Sequence, residues 1–341
     1  MIATTISSPV EAASLPAVKS DRLPLLLLLA IALIALPLVR SFPTWVTLTV
    51  AGLAMGLIIF IVASGLTLIF GLMDVLHFGH GAFIALGAYL ATTILLPLRS
   101  LTEANDLLLN IAALGIAVLG AAAAAALAGF AFERVIIRPV YGQHLKQILI
   151  TMGGLIVAEQ LIKLIWGAQA IPLPLPTALR GALVVGDAAV EKYRILAVVV
   201  GLAVFAAMFV VLNRTKIGLL IRAGVQDREM VEALGYPIKR LFIGVFATGC
   251  ALAGLGGVMW GLYQQNITAG IGAQVNVLIF IVIIIGGLGS VGGCFIGALL
   301  VGLMANYTGF LAPKVALFSN IFLMVLVLMW RPQGLYPVAK R

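Results

Sequence analysis

Apolar residues run in long blocks along this chain and do not alternate with polar ones. Ten blocks can be drawn: 23–39, 45–71, 79–97, 107–132, 147–166, 195–212, 241–263, 275–288, 292–308 and 315–330. Most approach the roughly 20 residues that a helix needs to cross a ~30 Å hydrocarbon core. In lipid the backbone must satisfy its own polar groups, so such blocks predict helices and not open sheets. The period-two pattern of a membrane barrel is absent. The predicted fold is therefore all-α, a polytopic transmembrane bundle of about 8–10 spans. Two of the divisions, 72–78 and 289–291, are glycine-rich breaks and not hydrophilic loops. Re-entrant segments there would leave the parity of crossings unchanged.

Composition supports this reading. The chain is 63% hydrophobic and only 10% charged, where a soluble protein carries about 25% charge. Its net charge of +9 would suggest nucleic acid in a soluble protein. Here the cations gather in a few loops, with no aromatic-rich basic patch, so nucleic acid is excluded and charge instead sets orientation. Lys19 and Arg22 precede the first block. Arg134, Arg138 and Lys146 follow the fourth. Arg214, Lys216, Arg222, Arg228, Lys239 and Arg240 lie between the sixth and seventh, and Arg331, Lys340 and Arg341 in the tail. Ten crossings put all four groups on one side, the cytoplasm, with both termini. The expected organisation is a disordered N-terminus (1–22), one membrane domain (23–330) and a short cytoplasmic tail (331–341). The domain includes a cytoplasmic segment (213–240) and an external loop (167–194). A cleaved leader is the rival reading of 23–39. The block is long for one, and no small-x-small site precedes Arg40 and Phe42.

Cys250 and Cys294 lie in apolar blocks and read as packing residues. The run AAAAAALAG (121–129) reads as a close helix–helix contact.

The two breaks resemble each other. GHGAFIALGAYL (79–90) and GGCFIGALLVGL (292–303) share a glycine pair, a small residue, Phe-Ile and a small-residue helix. Each follows a glycine-broken end of an apolar run. Gly71, Gly79 and Gly81 mark the first, and Gly286, Gly287, Gly289, Gly292 and Gly293 the second. Paired breaks of this kind point to a translocation path between two pseudo-repeated halves. They are expected to meet at the centre of the fold, in a parallel or an inverted relation. Asp74, His77 and His80 fall in the first break and are candidate pathway or gate residues, because ionisable groups at membrane depth are expensive. The competing reading caps a helix or packs one, with Asp74 at the interface. Two histidines with one carboxylate make a poor metal site. Glu159 and Gln160 are the other pathway candidates. Glu159 and Lys163 are spaced to pair on one helix face, which makes a structural role the stronger reading.

The segment RAGVQDREMVEALGYPIKRL (222–241) is too polar to span and too regular for a linker. Asp227 can cap a short helix over 228–234, with Gly235 and Pro237 ending it. Such a helix lies on a membrane surface or docks in a partner's groove. The stretch resembles the coupling segment of ABC importer permeases, which implies contact with an ATPase through Arg222, Asp227, Glu229, Glu232, Ala233 and Gly235. SGLTLIFGLMDVLHFGHGAFIALGAYLA (64–91), RAGVQDREMVEALGY (222–236), GGLGSVGGCFIGALLVGL (286–303) and RPQGLY (331–336) occur in the order and spacing of LivH-type permeases. The chain is thus similar, over about 45–337, to one of two permease subunits of bacterial branched-chain amino acid ABC transporters. The resemblance implies an inner-membrane importer with a second, M-type permease, two cytoplasmic ATPases and a periplasmic binding protein. It implies branched-chain amino acids as cargo, with urea, short amides or aromatic acids as alternatives. No G-x-x-x-x-G-K-[ST] loop occurs, so ATP is expected on partner subunits and no cofactor on this chain. No nucleophile–base pair suggests an enzyme. An ion-coupled secondary transporter is the rival class, with Asp74 or Glu159 as coupling carboxylate.

Overall fold

The computed structural model describes residues 23–75, 77–226 and 228–336. The expected disordered N-terminus, the capping role of Asp227, and Lys340 and Arg341 lie outside the described residues.

Each apolar block forms a helix. They are α1 (Leu23–Val39), α2 (Phe42–Met73), α3 (His80–Leu95) and, after a short α4 (Arg99–Thr102), α5 (Leu107–Phe132). Then come α6 (His144–Trp166), α7 (Lys192–Arg214), and the shorter α8 (Lys216–Gln226) and α9 (Arg228–Ala233). The chain ends with α10 (Ile238–Gln264), α11 (Ile271–Gly286), α12 (Val291–Leu311) and α13 (Ala316–Trp330). Six are long and apolar enough to cross a membrane: α2, α5 with its continuation to Val140, α6, α7, α10 and α12. The 16-residue α3 and α11 reach about 24 Å at 1.5 Å per residue, short of a full hydrocarbon core.

Helix α2 is the axis of the bundle. Ile58 to Ala63 are 0% exposed, and α3, α7, α10 and α12 surround it or its neighbours. Small residues set these contacts, as expected where lipid gives no hydrophobic drive between helices. The alanine-rich run of α5 buries Ala117, Ala121, Ala125 and Gly129 against α10. A Cβ added at Gly254 would lie 2.7 Å from that of Ala125, and one at Gly129 2.6 Å from Cys250. Both cysteines are buried and free, as packing residues.

The termini of the helices collect at two ends. At one end Tyr141 Oη donates to the Met73 carbonyl at 3.4 Å. There Arg134, Arg138, Lys239 and Arg240 line one recess, and Leu335 N–H donates to the Ile285 carbonyl at 2.9 Å. At the other, Trp166 Nε1 donates to Thr93 Oγ1, and β1 (Ile171–Pro172) pairs antiparallel with β4 (Asn266–Ile267). Between them a hairpin, β2 (Ala182–Val185) with β3 (Ala188–Glu191), turns through Gly186 at φ 61°. The 167–194 loop is thus ordered, with Leu173, Leu175 and Leu179 of its Pro-rich half buried. The described basic loops share the first end, called here the basic end.

The two breaks do meet: a Cβ on Gly71 would lie 2.7 Å from the Gly289 Cα. They meet at the basic end and not, as expected, at the centre. Leu288 beside them is 49% exposed. Helices α2 and α11 both run towards this end, and α3 and α12 both run away from it. The two break units therefore run in the same sense, the parallel alternative. Their packing is reciprocal: α2 lies on α12 and α11 on α3.

Candidate functional site

The first break turns inward after α2 ends. Asp74 caps α2 in the left-handed region (φ 52°), its N–H on the Phe70 carbonyl. It does not cap α3, whose N-cap is Gly79 without a side-chain bond. The Asp74 carboxylate is 74% exposed and 3.8 Å from His144 Nε2, at the surface of the basic end.

From there the chain is pinned on both sides. Phe78 N–H donates to Thr151 Oγ1 at 3.1 Å, and Asn276 Nδ2 donates to the Phe78 carbonyl at 2.8 Å. The Phe78 ring stacks on Phe280 with centroids 4.5 Å apart. His80, fully buried, lies with Nε2 3.1 Å from the Val62 carbonyl. A carbonyl only accepts, so this nitrogen carries a proton. Val62 is eleven residues above the end of α2, so His80 sits well inside the bundle. His77 is 1% exposed and enclosed by aromatic rings. Phe246 stands at 5.0 Å, Phe132 at 5.3 Å and Phe83 at 5.7 Å, with His80 edge-on at 5.8 Å. Both His77 nitrogens and His80 Nδ1 are buried without a hydrogen-bond partner. Buried polar atoms are paired in the great majority of cases. This plug therefore holds unused donor and acceptor capacity at its centre. Among the described residues no cluster of three ligating side chains could hold a metal ion.

The other candidates lie elsewhere. Glu159 and Lys163 pair along α6, Nζ donating to Oε1 at 2.7 Å, and Gln160 is exposed. The pair is remote from His77 in sequence and element.

The second break is held by the tail. Gly287 and Gly289 take φ of 100° and 81°, turning the chain between α11 and α12. Ser290 caps α12, accepting from Gly293 N–H at 3.1 Å. Leu335 and Tyr336 N–H groups donate to the Ile285 and Gly286 carbonyls, both at 2.9 Å. Arg331 Nη1 reaches the Leu335 carbonyl at 3.2 Å. RPQGLY thus satisfies carbonyls that the end of α11 leaves open. The break glycines are not equivalent. A Cβ at Gly293 would collide with the Gly286 carbonyl oxygen, whereas one at Gly292 meets nothing within 4 Å.

The polar segment between α7 and α10 is mostly helical. α9 ends where expected: Gly235 takes φ 86°, its N–H donates to the Glu232 carbonyl, and Tyr236 N–H donates to the Val231 carbonyl. Helix α8 was not anticipated. Its Ile221 is buried at 3% while Ile217 and Leu219 are more than half exposed. Arg222 Nη1 donates to Asn213 Oδ1 at 3.4 Å. Glu229, Glu232 and Ala233 are exposed. So are Met230 (62%), Leu234 (70%) and Tyr236 (48%). Tyr236 also lines a recess of about 380 Å³ with Glu232, Gly235 and Pro237 to Arg240. This end therefore presents apolar side chains in a charged frame.

Sequence reasoning missed Thr151, Asn276, Phe132, Phe246 and Glu133. Thr151, Asn276 and Glu133 were visible as polar residues in or beside apolar blocks. The two phenylalanines carried no signal.

Known proteins resemble this chain in sequence. Over 296 residues the chain is 27% identical to the high-affinity branched-chain amino acid transport system permease protein BraD of Pseudomonas aeruginosa, covering 84% of this chain and 94% of that one. Over 292 residues it is 26% identical to LivH, a permease protein of the same description from Escherichia coli K12, covering 83% and 92%. A shorter match, 30% identical over 141 residues, is to the probable LivM permease protein of Methanocaldococcus jannaschii, covering 37% and 41%. No solved structure matches the chain. The family model for the permease component of branched-chain amino acid transport systems matches residues 48–330. With its bundle of apolar helices, its paired glycine breaks and that match across most of its length, the chain belongs to this family of membrane permeases.

Proposed function

We propose that this chain forms half of the translocation pathway of an ABC importer for branched-chain or related amino acids. The second half is an M-type permease, and cargo arrives on a periplasmic binding protein. ATP is bound and hydrolysed by two partner subunits, with no cofactor on this chain. The basic end faces the cytoplasm of an inner membrane, as its Lys and Arg loops favour.

The observation that carries this reading is the knuckle at 228–240. An exposed helix, a left-handed glycine stop and a proline lead directly into α10. α10 packs along α2, α3 and α5 and holds Phe246 against His77. Displacement of the knuckle by ATPases would move α10 and with it one wall of the His77 plug. The unused nitrogens of His77 and His80 then face an opening path, where water or a zwitterionic cargo can bond them. The surface position of Asp74 and the pairing of Glu159 with Lys163 support this over an ion-coupled carrier. Such a carrier, with Asp74 or Glu159 as its coupling group, needs that carboxylate unpaired on the path.

Co-purification of the tagged chain from its own membranes tests the assembly. A second permease and two ATPases are expected; a chain that purifies alone and transports without ATP refutes it. In the assembled importer, Glu232→Lys with Gly235→Leu should abolish ATP-driven uptake while the protein still inserts. Normal uptake would remove the coupling role. Titrating the associated binding protein with leucine, urea and aromatic acids identifies the cargo.

A further inference from the structure

The coupling reading leaves one group of residues at the basic end without a task. A recess of about 350 Å³ lies between the end of α5 and the start of α10. It is lined by Glu133, Arg134, Arg138, Tyr141, Lys239, Arg240, Phe242 and Ile243. Four cations face one carboxylate. Among the described residues the geometric ion pairs lie elsewhere; Glu133 feels the charges of Arg138 and Arg134, and a single carboxylate leaves the recess net positive. The first turn of a 27-residue helix adds its own partial positive charge. Glu133 is 4% exposed, and its Oε2 is buried with no hydrogen-bond partner. The floor is apolar, Phe242 and Ile243 belonging to a membrane-length helix. Val135, next to Arg134 in the π-helical turn Glu133–Ile137 that continues α5, is 71% exposed.

The geometry points to a site for the headgroup of an anionic glycerophospholipid, a phosphodiester carrying a hydroxylated alcohol. The phosphate meets the cations. A headgroup hydroxyl donates to Glu133 Oε2, which needs a donor and has none. The acyl chains run down the apolar flank beside Val135. Basic recesses between helices at the membrane boundary recognise lipid headgroups through the same chemistry. A free phosphate would satisfy the cations but not the apolar floor. An acidic surface of another subunit would leave Glu133 facing like charge.

The inference assumes that this end lies at the membrane boundary, but it is tested without transport. The full chain is purified, stripped of lipid, and titrated in micelles by native mass spectrometry. The probes are phosphatidylglycerol, phosphatidylmethanol (same charge, no hydroxyl), phosphatidylcholine and inorganic phosphate. Phosphatidylglycerol should bind at least ten-fold tighter than phosphatidylcholine and several-fold tighter than phosphatidylmethanol. Arg138→Gln with Arg240→Gln, both exposed and outside the packed core, should weaken it roughly 30-fold, at about five-fold per surface cation. Arg138→Lys with Arg240→Lys should retain most of it. Equal binding of phosphatidylglycerol and phosphatidylcholine, or no effect of the Gln pair, overturns the site. Displacement by millimolar inorganic phosphate makes it a free-anion site and overturns the lipid. Protection of these cations only by a co-purified ATPase makes it a protein contact and does the same.

Discussion

Two adjacent glycines at the second break should respond oppositely to the same substitution. At Gly293, near the start of α12, an added Cβ would collide with the Gly286 carbonyl oxygen and lie 3.1 Å from Ser290 Oγ. Both neighbours are fixed. Gly286 closes α11, and its carbonyl already accepts from Tyr336 N–H. Ser290 Oγ accepts from Gly293 N–H itself. Gly293→Ala must therefore separate α11 from α12. Overpacking of this kind costs about 1–3 kcal/mol. Disturbing the Ser290 cap adds about 0.5–2 kcal/mol. A loss of roughly 2–4 kcal/mol is expected. At Gly292 the space is open, and Ala gains about 0.5–1 kcal/mol over Gly in a helix. Thermal unfolding of the purified full chain, followed by fluorescence-detected gel filtration, reads the difference. Gly293→Ala should melt about 5 °C or more below the parent, taking about 2–4 °C per kcal/mol, and Gly292→Ala at or above it. Equal melting of the two variants would refute the close approach of α11 and α12.

Further outcomes follow from other contacts. Leu335→Ala removes a side chain only 1% exposed from the tail that closes the second break. It should destabilise the chain by about 2–3 kcal/mol, seen as a lower melting point and faster proteolysis of the tail. Lys163→Met leaves Glu159 unpaired on a largely lipid-facing helix, since only 11% of the apolar window of α6 is buried. Folded yield should fall, and Glu159→Gln added to it should restore most of the loss, a coupling of about 1 kcal/mol; additive effects would contradict a stabilising pair. Thr151→Val removes the hydroxyl that receives Phe78 N–H, leaving that donor unsatisfied at about 1–3 kcal/mol. Accelerated labelling of a cysteine at Phe78 would report the loosened plug, and unchanged labelling would discount the anchor.

Several features were legible because they are local. Ten apolar blocks became ten helices, since hydrophobic length and backbone satisfaction are properties of each segment alone. The alanine run at 121–129 packs closely because it has no side chains to prevent it. Glu159 and Lys163 pair because a helix brings residues four apart together. Gly235 ends α9 because it takes a positive φ with no strain. Helix α8 was missed because its apolar residues, Ile217 to Ile221, continue the preceding hydrophobic pattern beyond Thr215 and dilute its own signal.

The remaining features depend on contacts between distant segments. The sequence by itself determined a helical membrane bundle, the paired breaks, the basic loops and the glycine stop of α9. Each follows from composition and spacing within about twenty residues. Only the tertiary structure decided that both breaks point to the same end, and that RPQGLY closes the second. The same holds for Asp74 reaching the surface while His77 sits inside a ring of Phe83, Phe132 and Phe246. Asp74 and His77 are three residues apart, one at the surface and the other inside the bundle. That difference is set by where α5, α6, α10 and α11 stand. A residue's solvent is chosen by its neighbours in space, which the local sequence does not specify.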